Sequence, residues 1–192
     1  MQNIFINTHG LIINKEKSID NIIMVINDYN HYNNLILLSD NTDMISNYNY
    51  ETVTIKPSSD FFKTKVEEYK KNKNNKTLVI VDILCIDDYH DEYIRDIIYN
   101  GCFYNINIVF VQPNTNSFLT PDIRGQIDYT FVFIDNDPNS FDNCIKYLEN
   151  AYLGKINNLN DISIIINIKN KLAYSSKLII FHENKNNTIA IL

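Results

Sequence analysis

The stretch Thr77–Pro113, TLVIVDILCIDDYHDEYIRDIIYNGCFYNINIVFVQP, contains two apolar runs that each stop on a polar residue, Asp82 in the first and Gln112 in the second. Both runs are short and β-branched, the composition of strands buried on two faces of a parallel sheet. Between them Tyr89, Tyr93, Ile94 and Ile97 recur three and four apart, which predicts a helix over Asp88–Asn100 with Gly101 as a left-handed stop. Strand, helix and strand in this order form a parallel unit. In open sheets of that kind ligands sit at the carboxyl ends of the strands, so Asp82 and Gln112 mark one crevice and are the leading candidate site residues.

The same alternation extends in both directions. Strands are predicted at Asn3–Asn7, Asn34–Ser39, Thr52–Ile55, Thr77–Asp82, Asn105–Val111 and Tyr129–Ile134, with helices at Ser18–Tyr29, Ser58–Lys73, Asp88–Asn100 and Asp137–Leu153. The serines and aspartate before Phe61 offer a helix cap, and Pro138 suits a first helical turn. After about Asn157 the pattern changes. The segment NLNDISIIINIKN fits either a short helix or a strand, and SKLIIFHENKNNTIAIL reads as a hairpin. The expectation is a single α/β domain over 1–192 with a mostly parallel sheet and flanking helices. Its core covers about 1–153, and a C-terminal helix and β-hairpin extension covers about 154–192.

Composition narrows the function. A length of 192 residues allows one sizeable core, and 45% hydrophobic with 21% charged residues is the balance of a folded chain. The bias toward Ile, Asn, Lys and Tyr is the mark of AT-rich coding, which assigns most asparagines to solvated positions. The net charge is -6 and the only arginines are Arg95 and Arg124, a poor basis for autonomous nucleic-acid binding, which relies on neutralised phosphates. The basic stretch KTKVEEYKKNKNNK is interrupted by Glu67 and Glu68 and reads as a solvated helix end. Cys85, Cys102 and Cys144 have no paired spacing, which favours a reducing compartment over disulfides or a zinc site. His9, His31, His90 and His182 lack metal-ligand spacing and read as surface or loop residues. With no apolar run of membrane-spanning length and no leader-like N-terminus, a cytoplasmic location without membrane contact is expected.

An aspartate ending a buried strand is the position that holds Mg²⁺ through water in P-loop NTPases, since a hard carboxylate suits a hard cation. It also serves, in many α/β proteins, only to cap the next turn. Gln112, able to donate and accept at once, could orient a water or sense a terminal phosphate. A phosphate-binding loop should lie upstream, and the segment NTHGLIINKEKSIDNII offers Gly10 followed by Lys17-Ser18 at a helix start. The spacing exceeds that of a working phosphate loop and the second glycine is missing. Ile12 and Ile13 resist the positive φ that such a cradle uses, and Glu16 adds a negative charge.

Taken together, the strand ending in Asp82, the helix, NGCFYNINIVFVQ and LTPDIRGQIDYTFVF resemble the genome-packaging ATPases of poxviruses and other large DNA viruses, in the FtsK/HerA superfamily. The resemblance covers the chain from about Ile22 onward. It implies a P-loop NTPase-like fold, with ATP and Mg²⁺ as cofactors if the chain is active. It also implies Asp82 as the magnesium-side acid, Gln112 as a catalytic-edge residue, and Arg124 as an arginine able to reach phosphate in its own or an adjacent subunit. The residue types alone equally allow Arg124 an ion pair with Asp122 or Asp128. The family pattern is broken where chemistry would occur. Ile83 stands where a second acid should follow Asp82, and Asp87, the nearest replacement, comes five residues later. Cys102 and Phe103 replace the family's Arg-His.

The expected function is therefore that of a degenerate packaging-ATPase-like protein, catalytically impaired and without a bound cofactor. It would act through a protein partner in virion assembly, either the active packaging ATPase or further copies of itself. One alternative is a divergent active ATPase using Lys17, Ser18, Asp82, Asp87, Gln112 and Arg124. The other is an α/β interaction module unrelated to NTPases.

Overall fold

The computed structural model describes residues 8–13, 19–39, 51–53, 59–71, 74–85, 92–113, 119–133, 177–181 and 188–191. Eight strands form one sheet: β1 Gly10–Ile13, β2 Asn34–Leu38, β3 Glu51–Val53, β4 Thr77–Asp82, β5 Ile106–Gln112, β6 Tyr129–Phe133, β7 Lys177–Phe181 and β8 Thr188–Ile191. They lie in the order β3-β2-β4-β5-β1-β6-β7-β8. From β3 to β6 all neighbours are parallel. The last two strands add antiparallel, as the expected terminal hairpin.

Strand alternation distributes the apolar residues between two layers. Leu11, Ile13, Leu38, Val79, Val81, Ile108 and Phe110 project to one face. There they meet α2 (Ser59–Lys71), α3 (Glu92–Asn100) and the short α4 (Pro121–Arg124) through Phe62, Val66, Ile94, Ile97, Ile98 and Ile123. Ile12, Leu37, Leu78, Ile80, Val109 and Tyr129 project to the other, where α1 (Asp20–Asn30) supplies Ile22, Ile23 and Ile26. Residues of β4 and β5 are buried almost throughout, as expected of the central strands of a sheet covered on both sides. Among the described residues no helix is long and apolar enough to cross a membrane.

Two expectations change. The first central strand is Gly10–Ile13, whereas the predicted Asn3–Asn7 lies outside the described residues. Leu11, Ile12 and Ile13 are all nearly inaccessible to solvent and form the parallel pairs between β5 and β6, a position that rewards an apolar β-branched run over a polar one. Gly101 is not a left-handed stop, since no described glycine has a positive φ. The helix instead passes into a 3-10 turn, Gly101–Tyr104, and Asn105 supplies the left-handed residue at φ 54°. Glycine is required at 101 for space, because a Cβ there would lie 2.5 Å from the Ile106 carbonyl oxygen. The predicted helix over 137–153 and the segment around 157–170 lie outside the described residues.

Candidate functional site

The carboxyl ends of the parallel strands place Ile13, Ser39, Asp82 and Gln112 along one edge. Asp82 is in register with Val111, one residue short of Gln112, and Ile13 is in register with Gln112. The two residues singled out in the sequence thus reach the same end of the sheet on adjacent strands. They do not share a face. By alternation Asp82 follows Leu78 and Ile80 toward the α1 layer, and Gln112 follows Ile108 and Phe110 toward the layer of α2, α3 and α4. Gln112 is fully buried there. This corrects the expectation that both point into one crevice.

Asp82 is half-buried, and both of its carboxylate oxygens accept hydrogen bonds from the protein. Ser39 Oγ donates to Oδ2 at 3.0 Å. The Leu84 N–H donates to Oδ1 at 3.1 Å, so the carboxylate caps the 3-10 turn Ile83–Cys85 that ends the strand. Ser39 lies on the α1 side with Asp82 because it follows Leu37 by two residues, the strand period. Ile83, at the position where a second acid would act on water, is 3% exposed and packs in the core with Val81 and Ile13. A carboxylate at that position would face hydrocarbon.

The connection from β1 to α1 runs from Ile13 to Asp20. It contains no glycine, and Lys17 and Ser18 within it lie outside the described residues, as does Asp87. Gly10 was expected in the phosphate-binding loop. It instead opens β1 at the opposite end of that strand from the loop, and its lack of a side chain makes room for Tyr129, whose ring a Cβ at this position would overlap. Ile12 and Ile13 are likewise strand residues, so the obstacle to a phosphate cradle is the glycine-free sequence after them. α1 begins without a side-chain cap at Ile19, and Asp20, the acid in its first turn, is buried. A carboxylate at a helix N-terminus is favourable to the helix dipole, yet it puts negative charge where a phosphate would be received.

Arg124 is exposed at the end of α4. The carboxylates proposed as its ion-pair partners are engaged elsewhere. Asp122 Oδ2 accepts from Arg95 at 3.4 Å and from the Tyr99 hydroxyl at 3.1 Å, and hydrogen bonding, first from Thr120 and then from Tyr99, holds its carboxyl below the usual range. Asp128 accepts from the backbone of His9 at 2.8 Å. Arg124 stands four residues before Asp128 and the start of β6, so the topology sets it toward the amino end of the sheet and away from Asp82. Cys102 and Phe103, on the turn before β5, share that end; Phe103 is 81% exposed.

No group of three or more His, Cys, Asp or Glu is assembled for a metal among the described residues. Magnesium binds through one or two carboxylates with retained waters and substrate oxygens. At this edge Asp82 is one carboxylate, and each of its oxygens accepts one hydrogen bond, from Ser39 and from Leu84.

The sequence reading missed Ser39 as the partner of Asp82; the signal was present, since Ser39 ends an apolar run in the same way. It also read His9 as a surface or loop residue, whereas the ring is buried at the amino end of the sheet. His31 is exposed and ends α1 in a left-handed conformation at φ 52°.

No protein-family model matches the chain, and no curated protein matches it in sequence. Solved structures do match. The DNA-packaging ATPase B204 of Sulfolobus turreted icosahedral virus superposes with a TM-score of 0.61 at 15% identity, covering 95% of this chain and 96% of that one. B204 of Sulfolobus turreted icosahedral virus 2, a genome packaging NTPase solved with ATPγS, gives 0.59 at 14% identity over 95% and 96%. The pCW3 conjugation coupling protein TcpA, solved with ATPγS, gives 0.55 at 12% identity over 97% of this chain and 60% of TcpA. These similarities establish the fold, a P-loop NTPase-like α/β sheet.

Proposed function

We propose that this chain is a degenerate counterpart of viral genome-packaging ATPases, impaired in hydrolysis, and that it acts by protein–protein contact during virion assembly. The observation that carries this reading is the burial of Ile83. Hydrolysis needs a polar group to orient the attacking water beside the magnesium-side acid, and here that neighbour is part of the hydrocarbon core. Three further features support the reading. The connection after β1 is glycine-free, Gln112 lies on the opposite face from Asp82, and the hydrogen bonds of Asp82 are directed at its own turn and Ser39. The partner would be a protein of the same architecture, either an active packaging ATPase or a second copy of this chain.

The test is magnesium-dependent ATP turnover by the purified chain, alone and mixed with an active packaging ATPase. The expected result is no turnover above background alone, and a stable co-eluting complex in the mixture. Turnover that disappears in Asp82→Ala would overturn the reading.

A second reading, a divergent active ATPase, is favoured by one observation: Asp82 faces the α1 layer, with only β5 between its strand and the strand that leads into the Lys17-Ser18 segment. That is a spacing of about 10 Å, within reach of one Mg-nucleotide. Loss of turnover in Lys17→Ala as well as Asp82→Ala would support it.

A further inference from the structure

His9 precedes β1 and substitutes for backbone in the sheet. The β1–β5 ladder begins at the Gly10–Val109 pair. One step earlier His9 exchanges two hydrogen bonds with Asp128 beside β6: its N–H donates to Oδ2 at 2.8 Å, and its carbonyl accepts from the Asp128 N–H at 2.9 Å. On the β5 side the imidazole takes over, with Nδ1 accepting the Ile108 N–H at 2.9 Å. A ring nitrogen that accepts carries no proton, so this geometry requires a neutral ring with its hydrogen on Nε2. The ring edge also lies against Gly101, where a Cβ would stand 3.3 Å from Cε1. Asn107 closes the same edge, donating to the Thr8 carbonyl at 2.9 Å and accepting from the Tyr32 hydroxyl at 3.0 Å.

We propose that His9 is an acid-sensitive latch: a proton gained at Nδ1 turns the acceptor of the Ile108 N–H into a donor and frees the start of β1 from β5 and the Gly101 turn while the interior of the sheet stays paired. The inference is independent of nucleotide. Ionisable groups on the described elements around it are Asp128 and Tyr129 at the start of β6, Cys102 and Tyr104 on the turn, Glu92, Arg95, Asp96 and Tyr99 on α3 and Tyr32 after α1; β5 contributes none. Of these, Asp128 is hydrogen-bonded to His9 itself.

Burial lowers the His9 pKa from 6.5 to about 4, and the Ile108 N–H bond, which only the neutral ring can accept, acts in the same direction. The opened chain therefore takes up the proton first. The latch is fully effective above pH 6.5 and weakens as pH falls toward 4. Asp128 works in the opposite sense. Burial raises its carboxyl, so the native state protonates before the unfolded chain and gains stability in acid. Asp128→Asn keeps an acceptor for the His9 N–H and removes that second titration.

The experiment is ¹⁵N imidazole NMR and amide hydrogen exchange on the full chain from pH 7 to 3, for the wild type, Asp128→Asn and His9→Asn. Expected are the Nε2–H form of His9 at pH 7 and a midpoint near 4. Protection of the Ile108 amide should fall by up to about tenfold per pH unit below 6.5, while Val79 inside β4 stays protected. Asp128→Asn should show a fall at least as steep, and His9→Asn should show no fall. A midpoint at the ordinary value with Ile108 protection unchanged would overturn the proposal, as would Ile108 and Val79 losing protection in parallel. If His9→Asn does not fold, the wild-type tautomer and titration decide alone.

Discussion

Among the described residues, the two ends of the parallel sheet use their polar side chains differently. At the amino end His9, Asp128, Asn107, Thr8 and Tyr32 are linked by directed hydrogen bonds that join β1 to β5 and the start of β6. At the carboxyl end, where a P-loop NTPase-like fold receives its ligand, Asp82 is turned inward to cap its own strand and hold Ser39, while Ile83 beside it is core. A motif therefore identifies which end of a fold is disposed to bind, but the bonds made by each polar side chain decide whether that end is free to do chemistry.

The largest expected effect would break the amino end. Gly10→Ala places a methyl group inside the ring of Tyr129, which is fully buried and packs edge-on to Phe131 at 5.6 Å. Overpacking of this kind costs about 1–3 kcal/mol and more where the neighbour cannot move. The melting temperature should drop by roughly 5 °C or more, measured by calorimetry. Unchanged melting would mean that Tyr129 has room that this account denies it.

The next effect concerns acid. His9, neutral and buried, makes stability fall from pH 6.5 toward 4 by up to about 1.4 kcal/mol per pH unit, partly offset by Asp128. Urea unfolding of the wild type and Asp128→Asn across that range would separate the two, and the slope should be steeper in the variant.

At the carboxyl end the changes are smaller. Asp82→Asn retains one acceptor, for the Leu84 N–H, turns the other contact into an NH2 donor facing Ser39 Oγ and removes charge, so it should cost about 1 kcal/mol. A working magnesium-side acid would show its loss in turnover with little change in stability, and the opposite pattern is expected. Smallest is Arg124→Ala. Its exposure and the engagement of Asp122 and Asp128 elsewhere predict a change within about 0.5 kcal/mol, whereas a larger loss would reveal an intramolecular role.

Much of this architecture was legible in the sequence, for a specific reason. A buried parallel strand leaves a dense, β-branched signal, so Thr77–Asp82 and the run ending at Gln112 stood out, with α3 between them legible from its spacing. β1 is hard to read because GLII is only four residues long and another apolar run, NIFIN, precedes it, so that Gly10 reads as loop. The glycines misled twice, at 10 and at 101, because glycine serves close approach as well as positive φ, and close approach depends on residues far along the chain. The same holds for His9 and Asn107, whose partners lie 99 residues away. Ser39 and Asp82 are 43 residues apart, yet each ends a strand, and that shared position was the available clue.

We propose that the carboxyl end of this sheet does not hold a magnesium nucleotide. The direct test is the melting temperature of the purified chain with and without Mg-ATP. A ligand that binds only the native state at a hundred times its dissociation constant adds about 2.7 kcal/mol, which would raise the midpoint by several degrees. The account predicts a shift of less than about 1 °C at millimolar Mg-ATP. A rise of several degrees, lost in Asp82→Ala, would contradict it.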